Sequence, residues 1–493
     1  MKNKVFIVSI VIWVCVTLFR MLNHIPWLDE AHAWTIAQEL SFIEIIKLMK
    51  VEGHTLIWYL MLMPFAKLNW GYPYIMQFLN WIFCFGAILL LWKKSPFNNL
   101  IKVLITFSFP FFTVYPILAR CYSIGIFLLF LLTILYKDKL KYPVIYSILL
   151  VLCANTSVMA LFGATAFGIL FLYDFFKEKC DLKNLIIPSI IFLLGGSLIL
   201  YVLFGSDSTY LLEFRGLMPL VKNIAWWYFV PVLICTVISL FCIKQSKKAL
   251  FFVGFTYVAL SYCFIFKYFG HYWNHYFYYI YLLIAVWVAL DLSQKLNKAL
   301  IISLCVISIL NVNAYGNLSR IINREVFSYE IQNIFKVLIN DEHIKNRTII
   351  LDDINYIGYA LIPYSKNNNF NLKSYCYDVV YDVDTKVISE NTQWCYFEDD
   401  KDDSFIQRND SKRLASLFDK DAFFVSYFNQ DLYPEQLKQI LKNHPKAVVN
   451  MANFENDKIK GNSIVWDNLK MTPYKCFAYE KTQIKCIWYV EKF

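Results

Sequence analysis

The chain has 493 residues, of which 58% are hydrophobic, 18% aromatic and 17% charged. This composition excludes an ordinary soluble enzyme, because apolar runs near the ~20 residues that cross a bilayer recur through the first two-thirds of the chain. The formal net charge is +10, and its excess lies in residues 1–319, which hold 24 basic and 12 acidic side chains. These basic residues lie in short loops and form no patch on a soluble domain, which argues against nucleic-acid binding.

Eleven apolar stretches are predicted to cross the membrane. They are 5–22, 73–92, 100–116, 119–136, 142–154, 157–176, 184–204, 223–243, 249–269, 274–291 and 298–314. A further apolar piece, 56–68, is short and contains Pro64. If it crossed, the later lysine-rich loops would lie on the opposite side from Lys2 and Lys4. Because cytoplasmic loops are enriched in Lys and Arg, we predict a shallow or re-entrant helix at 56–68.

The sequence therefore predicts a polytopic α-helical membrane protein with about 11 spans, a retained first span and a cytoplasmic N-terminus. Residues 1–318 form the transmembrane domain, and its outer loop 23–55 is expected to hold two short amphipathic helices on the membrane surface, broken near Ser41. Residues 319–493 are predicted to be an extracytoplasmic soluble α/β domain. Its helical patterns lie near 329–344, 409–419 and 432–443, and its strand-like runs lie at 347–352, 422–427, 446–452 and 476–491.

Four cysteines lie in this polar C-terminal part. An even number outside the membrane permits two disulfides, but the sequence leaves the pairing open among Cys376, Cys395, Cys476 and Cys486.

The stretch Trp27-Leu28-Asp29-Glu30-Ala31-His32-Ala33-Trp34 follows the first span directly. Ionisable groups near a bilayer often mark a site, and we interpret Asp29 and Glu30 as catalytic carboxylates. In an inverting glycosyl transfer, one carboxylate takes the proton from the acceptor hydroxyl. The alternative is an acidic pair that the helix dipole favours in a first helical turn.

Glu52 and His54 lie where the outer loop meets the shallow helix. Glu52 is predicted to assist Asp29 or to coordinate a divalent cation, and His54 to contact a phosphate. The alternative is an interfacial turn with polar residues at the water boundary. The identity of any metal, and metal dependence itself, stay open.

Arg120 is placed just outside a span on the outer face. A guanidinium there is suited to a bidentate grip on the donor phosphate. The alternative is an interfacial arginine that snorkels to water.

An aromatic and histidine cluster lies between two later spans on the same face, at 267–276. Its members Lys267, His271 and His275 are predicted to bind the donor phosphate, because a departing prenyl phosphate needs donors that stabilise its charge. His271 and His275 are four residues apart, so a helix would place both on one side. The aromatic residues alone would form an interfacial belt.

Together these motifs resemble the GT-C class of membrane glycosyltransferases, in particular the bacterial protein mannosyltransferase and aminoarabinose transferase group. The resemblance covers about residues 1–315. It implies an inverting transferase with a polyprenyl-phosphate sugar donor, and it implies that Asp29 is the base. Two features depart from the family pattern: Thr55-Leu56 replaces the usual two prolines, and no acidic residue follows Arg120 until Asp138.

The function expected from the sequence is transfer of a sugar from a polyprenyl-phosphate donor to an envelope glycan, lipid or protein on the outer face of a bacterial cell membrane. Two alternatives stay open. One is a transporter or flippase of lipid-linked glycans, although such proteins usually show repeat symmetry and ionisable residues within their spans. The other is a non-catalytic envelope assembly protein.

Overall fold

The fold is taken from a computed structural model. It describes residues 2–52, 55–204, 226–266, 272–292, 296–313, 329–344, 347–351, 361, 371–374, 377–382, 386–393, 415–429, 464–466, 469–478 and 483–492. The chain divides into two compact units. The first comprises Met1–His24, Leu40–Phe65 and Pro73–Asn323, and the second comprises Ile25–Glu39, Ala66–Tyr72 and Arg324–Phe493.

Helices make up the described part of the first unit. In chain order they are α1 Lys2–Leu22, α3 Phe42–Glu52, α4 Ile57–Lys67, α5 Tyr74–Lys94, α6 Asn99–Thr106, the π-helix Pro110–Val114, α7 Tyr122–Leu135, α8 Pro143–Ala154, α9 Val158–Lys177, a 3₁₀ turn Leu182–Leu185, α10 Ile186–Phe204, α11 Trp226–Cys242, α12 Lys247–Phe266, α13 Tyr272–Leu292 and α14 Lys298–Asn313. α2, Leu28–Glu39, belongs to the second unit. Side-chain caps fix the first turns of α6 and α9. The Asn98 side chain accepts a hydrogen bond from the Ile101 N–H, and the Ser157 side chain accepts one from the Ala160 N–H.

Six helices in the described part of the chain are long and apolar enough to cross a membrane: α1, α5, α9, the segment Leu182–Tyr201, α12 and α13. Four shorter apolar helices, within α7, α8, α11 and α14, accompany them. This architecture is compatible with a polytopic helical membrane protein, and the count of eleven spans stays a prediction. One predicted span, 100–116, is not a continuous α-helix: α6 ends at Thr106 and a π-helix follows.

The short helix α4 begins next to the turn between α8 and α9, where its first residue, Ile57, donates its N–H to the carbonyl of Asn155. The next helix, α5, starts beside the end of α1, where Gln77 donates to the carbonyl of His24. With only 11 residues, α4 is shorter than a membrane-spanning helix. The shallow or re-entrant placement of 56–68 stays a prediction.

The outer loop holds the two expected helices, α2 and α3, which are separated at residues 40 and 41. α3 is amphipathic and exposes Phe42 and Ile43. The placement of both helices at a membrane surface stays a prediction, but the expected amphipathic pattern is absent from α2. Its residues from Ala33 to Gln38 are all buried, so α2 has no broad apolar face for a lipid surface.

The second unit has a mixed six-stranded sheet in the order β2-β1-β5-β8-β7-β6. Its strands are β1 Thr348–Leu351, β2 Asn371–Ser374, β5 Asp421–Asn429, β6 Ile464–Trp466, β7 Leu469–Ala478 and β8 Gln483–Lys492, while β3 Tyr377–Asp382 pairs with β4 Lys386–Gln393. β1 runs parallel to β2 and β5, and the remaining pairs are antiparallel. Helix α15, Tyr329–Asn340, completes this unit.

The sequence predictions for this unit are met in part. The helix near 329–344 and the strands at 347–352 and 422–427 agree with α15, β1 and β5. The run 476–491 is two paired strands, β7 and β8, and not a single one. The predicted helix at 409–419 is described only from residue 415, and the predictions at 432–443 and 446–452 lie outside the described residues.

The pairing of β7 with β8 bears on the open disulfide question. Cys476 is directly opposite Cys486 in the register. Directly opposed residues of antiparallel strands have Cα atoms about 4.5–5.5 Å apart, within the range of about 4.4–6.8 Å that a disulfide joins. This backbone register permits a Cys476–Cys486 disulfide, the pairing itself stays open, and Cys376 and Cys395 lie outside the described residues.

A buried ion triad ties three segments of the first unit together. Asp174, in α9, is 1% exposed. Its carboxylate lies 2.7 Å from the ammonium of Lys139, in the turn after α7, and 2.6 Å from that of Lys248, in the first turn of α12. Burial lowers the pKa of Lys139, and Asp174 acts against that shift. The charge on Lys139 is therefore compatible with burial only because Asp174 is there.

Replacement of Asp174 with Asn is expected to destabilise the protein, because the buried ammonium of Lys139 and the partly exposed ammonium of Lys248 would lose their counter-ion. The expected loss is about 3–5 kcal/mol, the usual result of removing one partner of a buried pair. Thermal unfolding in detergent would measure it as a lower Tm. The control is Asp138→Asn, at an exposed position after α7. Equal Tm values for the two variants would contradict this role of the triad.

Candidate functional site

The acidic motif lies at the start of α2, and its two carboxylates have different surroundings. The Glu30 carboxylate accepts a hydrogen bond from the backbone N–H of Trp27 at 2.5 Å, while the Glu30 N–H donates to the carbonyl of Trp27 at 2.9 Å. This is one half of a capping box, in which the carboxylate at the third helical position accepts from the backbone N–H of the residue before the helix. The other half is replaced by a backbone hydrogen bond, because a tryptophan side chain has no oxygen to accept one. Glu30 is fully buried, whereas Asp29 is half-buried. Glu30 therefore stabilises the start of α2, whether or not its carboxylate also takes part in catalysis.

The rest of α2 is built into the second unit. Ala31, together with Ile25 just before the helix, lies in the same apolar core as Ile334 and Phe335 of α15 and Ile349 of β1. At the far end of the helix, Trp34 packs on Tyr72 with ring centroids 5.3 Å apart, and Gln38 donates to the Asn69 side chain. Apolar burial and side-chain hydrogen bonds thus fix the helix that presents Asp29. His32, two residues after Glu30, is half-buried.

Arg120 lies in the first unit, on a non-helical segment just before α7, and is 6% exposed. Two side chains donate hydrogen bonds to the carbonyl of Tyr115 in this segment. Asn80 of α5 donates at 2.7 Å, and Ser123 of α7 donates at 2.9 Å. The hydroxyl of Tyr115 in turn donates to the carbonyl of Trp273 in α13 at 2.8 Å. The segment is therefore positioned by three helices, and Arg120 is a largely buried cation on a fixed backbone.

A second buried guanidinium contacts the same segment. Arg20, in the last turn of α1, is 6% exposed and donates to the carbonyl of Phe112 at 3.3 Å. Trp13 of α1 donates to the adjacent carbonyl of Phe111 at 2.8 Å. Sequence reasoning missed Arg20 because it lies inside the first apolar run. A usable signal was present, since an ionisable residue inside an apolar run is costly and often marks a site.

The aromatic and histidine cluster is described only from Tyr272 onward. His275, in α13, is half-buried and stacks on Phe264 of α12 with ring centroids 4.4 Å apart. This contact suits the aromatic-belt interpretation as well as the phosphate one. Lys267 and His271 lie outside the described residues, so their predicted phosphate contacts stay predictions.

The structure also leaves open the predicted metal-binding or supporting roles of Glu52 and His54. Glu52 is the last residue of α3, but its side chain, like the whole of His54, lies outside what the structure describes. Among the described residues, no group of three or more His, Cys, Asp and Glu side chains is arranged to hold a metal ion. Both a divalent cation and metal-free chemistry stay open for this chain.

The site residues therefore fall into two groups. Of the predicted site residues, the second unit holds Asp29, Glu30 and the neighbouring His32, and the first unit holds Glu52, Arg120 and His275. Arg20, which was not predicted, is a further buried cation of the first unit. No protein-family model and no curated protein sequence matches the chain. Its class is thus defined by its own architecture, a helical protein with several membrane-compatible helices and a small sheet.

Replacement of Glu30 with Ala is expected to loosen the start of α2, because the Trp27 N–H would lose its partner. The expected cost is about 1 kcal/mol, as for other lost N-caps. Hydrogen exchange followed by mass spectrometry should show faster exchange in the peptide covering residues 25–39. Glu30→Gln keeps a capping oxygen and is expected to exchange nearly as slowly as the native protein.

Glu39→Ala, at an exposed position at the other end of α2, is the matched control and should leave the first turn unchanged. Unaltered exchange in Glu30→Ala would contradict the capping role. Loss of activity in Glu30→Gln, with exchange unchanged, would instead show that the carboxylate takes part in chemistry.

Proposed function

We propose that this protein is an inverting glycosyltransferase that moves a sugar from a polyprenyl-phosphate donor to a cell-envelope acceptor on the outer face of the membrane. The observation that carries the proposal is the environment of the two carboxylates in the first turn of α2. There, Glu30 binds the backbone while Asp29 is half-buried beside it on a rigid first turn. A carboxylate on a fixed element is what a general base requires.

In the proposed reaction, the acceptor hydroxyl attacks the anomeric carbon and gives its proton to Asp29. The bond from that carbon to the phosphate oxygen breaks, and the polyprenyl phosphate leaves with the electron pair. One displacement of this kind inverts the anomeric configuration.

Arg120 is proposed to bind the donor phosphate. Its guanidinium offers planar pairs of N–H donors that match phosphate oxygens. The segment that carries it is fixed by Asn80, Ser123 and Tyr115, so little ordering is needed when the donor binds. Snorkelling to water is a poorer account of a guanidinium that is 6% exposed.

The proposal is tested by replacing Asp29 with Asn, which removes the base with almost no change in shape. Transfer is expected to fall about 100- to 10,000-fold, the usual contribution of a general base. The assay uses membranes from cells that produce each variant, supplied with a lipid extract containing polyprenyl-linked sugars. Mass spectrometry then follows consumption of the sugar-bearing lipid.

The control is Asp138→Asn, whose exposed carboxylate lies after α7 and outside the proposed site. Hydrogen exchange of residues 25–39 establishes that α2 is intact in the Asp29 variant. Substantial turnover by a folded Asp29→Asn protein would contradict the role of this residue. Movement of the lipid across the membrane with its headgroup unchanged would favour a flippase instead.

A further inference from the structure

An apolar groove of about 450 Å³ lies on the surface of the first unit, between α9 and α12. Its volume falls within the range of about 300–1,000 Å³ that is usual for ligand sites. Both helices are long and apolar enough to cross a membrane, so in a bilayer an acyl chain would match the lining of the groove. The lining residues include Phe162, Phe251, Gly254, Phe255, Val258 and Tyr262.

Gly254 keeps the groove open in its middle. The residues that α12 contributes recur every three or four positions, so they form one face of that helix. A Cβ added at Gly254 would meet open space, with no neighbouring atom within 4 Å. Glycine inside a helix also lowers its stability, because it has more conformational freedom to lose than other residues. A larger side chain at this position would therefore fill the groove without disturbing the packing of α12.

Positive charge is concentrated where α12 begins. Lys247 and Lys248 are four and three residues before Phe251, so helical geometry places both over the groove face of α12. Lys247 is exposed and Lys248 is partly exposed. Lys248 also pairs with Asp174 of α9, which shares its single negative charge with the buried Lys139. The ion triad thus keeps a net charge of +1, to which Lys247 adds another.

The N-terminus of α12 offers hydrogen-bond donors beside these lysines. Ser246 precedes the helix, and its carbonyl accepts the N–H of Leu250. The Ser246 side chain is 9% exposed, and its Oγ has no hydrogen-bond partner among the residues that the structure describes. A buried hydroxyl without a partner is uncommon in native proteins. The first turn of α12 contains no acidic residue, so no carboxylate there competes with an outside anion for the positive helix end.

We propose that the groove binds an acyl chain of an anionic phospholipid, whose phosphate lies at Lys247, Lys248 and the start of α12. Basic pockets between transmembrane helices bind anionic headgroups on the cytoplasmic side of a membrane. The loop charges predict that this end of α12 faces the cytoplasm. A single lipid would then match both halves of the surface, the lysines with its headgroup and the groove with its chain.

This site is separate from the proposed donor site. Arg120 lies just before α7, whereas Lys139 of the ion triad lies just after it, so the two are at opposite ends of that helix. A polyprenyl-phosphate donor on the outer face would carry its phosphate at the other end of the helices. The inference therefore does not rest on the proposed function.

The experiment uses the full-length protein in nanodiscs that contain equal amounts of phosphatidylglycerol and phosphatidylcholine with identical acyl chains. Native mass spectrometry measures which lipid stays bound when the protein leaves the nanodisc. The native protein is expected to retain phosphatidylglycerol in excess, because only that headgroup carries a net negative charge. Lys247→Gln, which leaves the ion triad intact, is expected to lower the ratio of the two lipids about fivefold, the effect of one lysine near an anionic lipid. Lys94→Gln, at an exposed position in the last turn of α5, is the matched control and should keep the native ratio.

Gly254→Leu tests the groove itself. The leucine side chain is expected to occupy the space of the acyl chain, so that the retained phosphatidylglycerol is lost. Gly196→Leu in α10 is the matched control, because a Cβ at Gly196 also meets open space. This control should retain phosphatidylglycerol as the native protein does. Circular dichroism and the Tm establish that both variants are folded.

Equal retention of the two phospholipids by the native protein would overturn the inference, and so would unchanged retention in a folded Gly254→Leu protein. Added competitors distinguish the other occupants. Displacement of phosphatidylglycerol by inorganic phosphate would show an anion site that does not use the groove. Preferred retention of polyprenyl phosphate, when both lipids are supplied, would show a donor site. Either result would contradict a phospholipid site.

Discussion

Residues 107–121, which join α6 to α7, must satisfy their backbone hydrogen bonds without a regular α-helix, and the packing of the first unit depends on how they do so. Buried N–H and carbonyl groups outside regular structure need partners from side chains or water. Here side chains from three helices donate to the carbonyls of Phe111, Phe112 and Tyr115. The same interactions that make the break in the helix acceptable also place Arg20 and Arg120 beside it.

The second constraint is the position of the acidic motif within the fold. α2 is separated from the C-terminal domain by nearly 300 residues of sequence, yet Ile25 and Ala31 share an apolar core with α15 and the central sheet. The motif is therefore positioned by packing within the second unit. Each of its two carboxylates meets a distinct environment, which explains why an adjacent Asp and Glu can serve different purposes.

Hydropathy and loop charge predicted much of the helical architecture, because crossing a bilayer imposes length and composition on a segment directly. The short helix α4 was recognisable by its length, and its shallow placement stays a prediction. The break after Thr106 was missed although Pro110 inside the run 100–116 was a signal for it. The hydrogen bonds that Trp13 and Arg20 donate to the π-helix could not be predicted, because they join residues more than 90 positions apart.

The C-terminal unit shows a similar limit. β1 and β5 are buried apolar runs and are recognisable by composition alone. The hairpin of β7 and β8 was read as one strand, because its apolar residues continue on both sides of the turn. The burial of α2 follows from contacts between distant parts of the chain. The spacing of apolar residues within α2 itself could not predict such contacts.

The measurement that tests the central claim most directly is the glycan composition of cells from which the gene has been deleted. Mass spectrometry of envelope polymers and lipid-linked sugars would compare these cells with the same cells carrying the intact gene. The account predicts that one glycosyl unit is missing from an envelope polymer, lipid or protein and that the corresponding polyprenyl-linked sugar accumulates. Envelope glycans and lipid-linked sugars that are identical in the two cell types would contradict it.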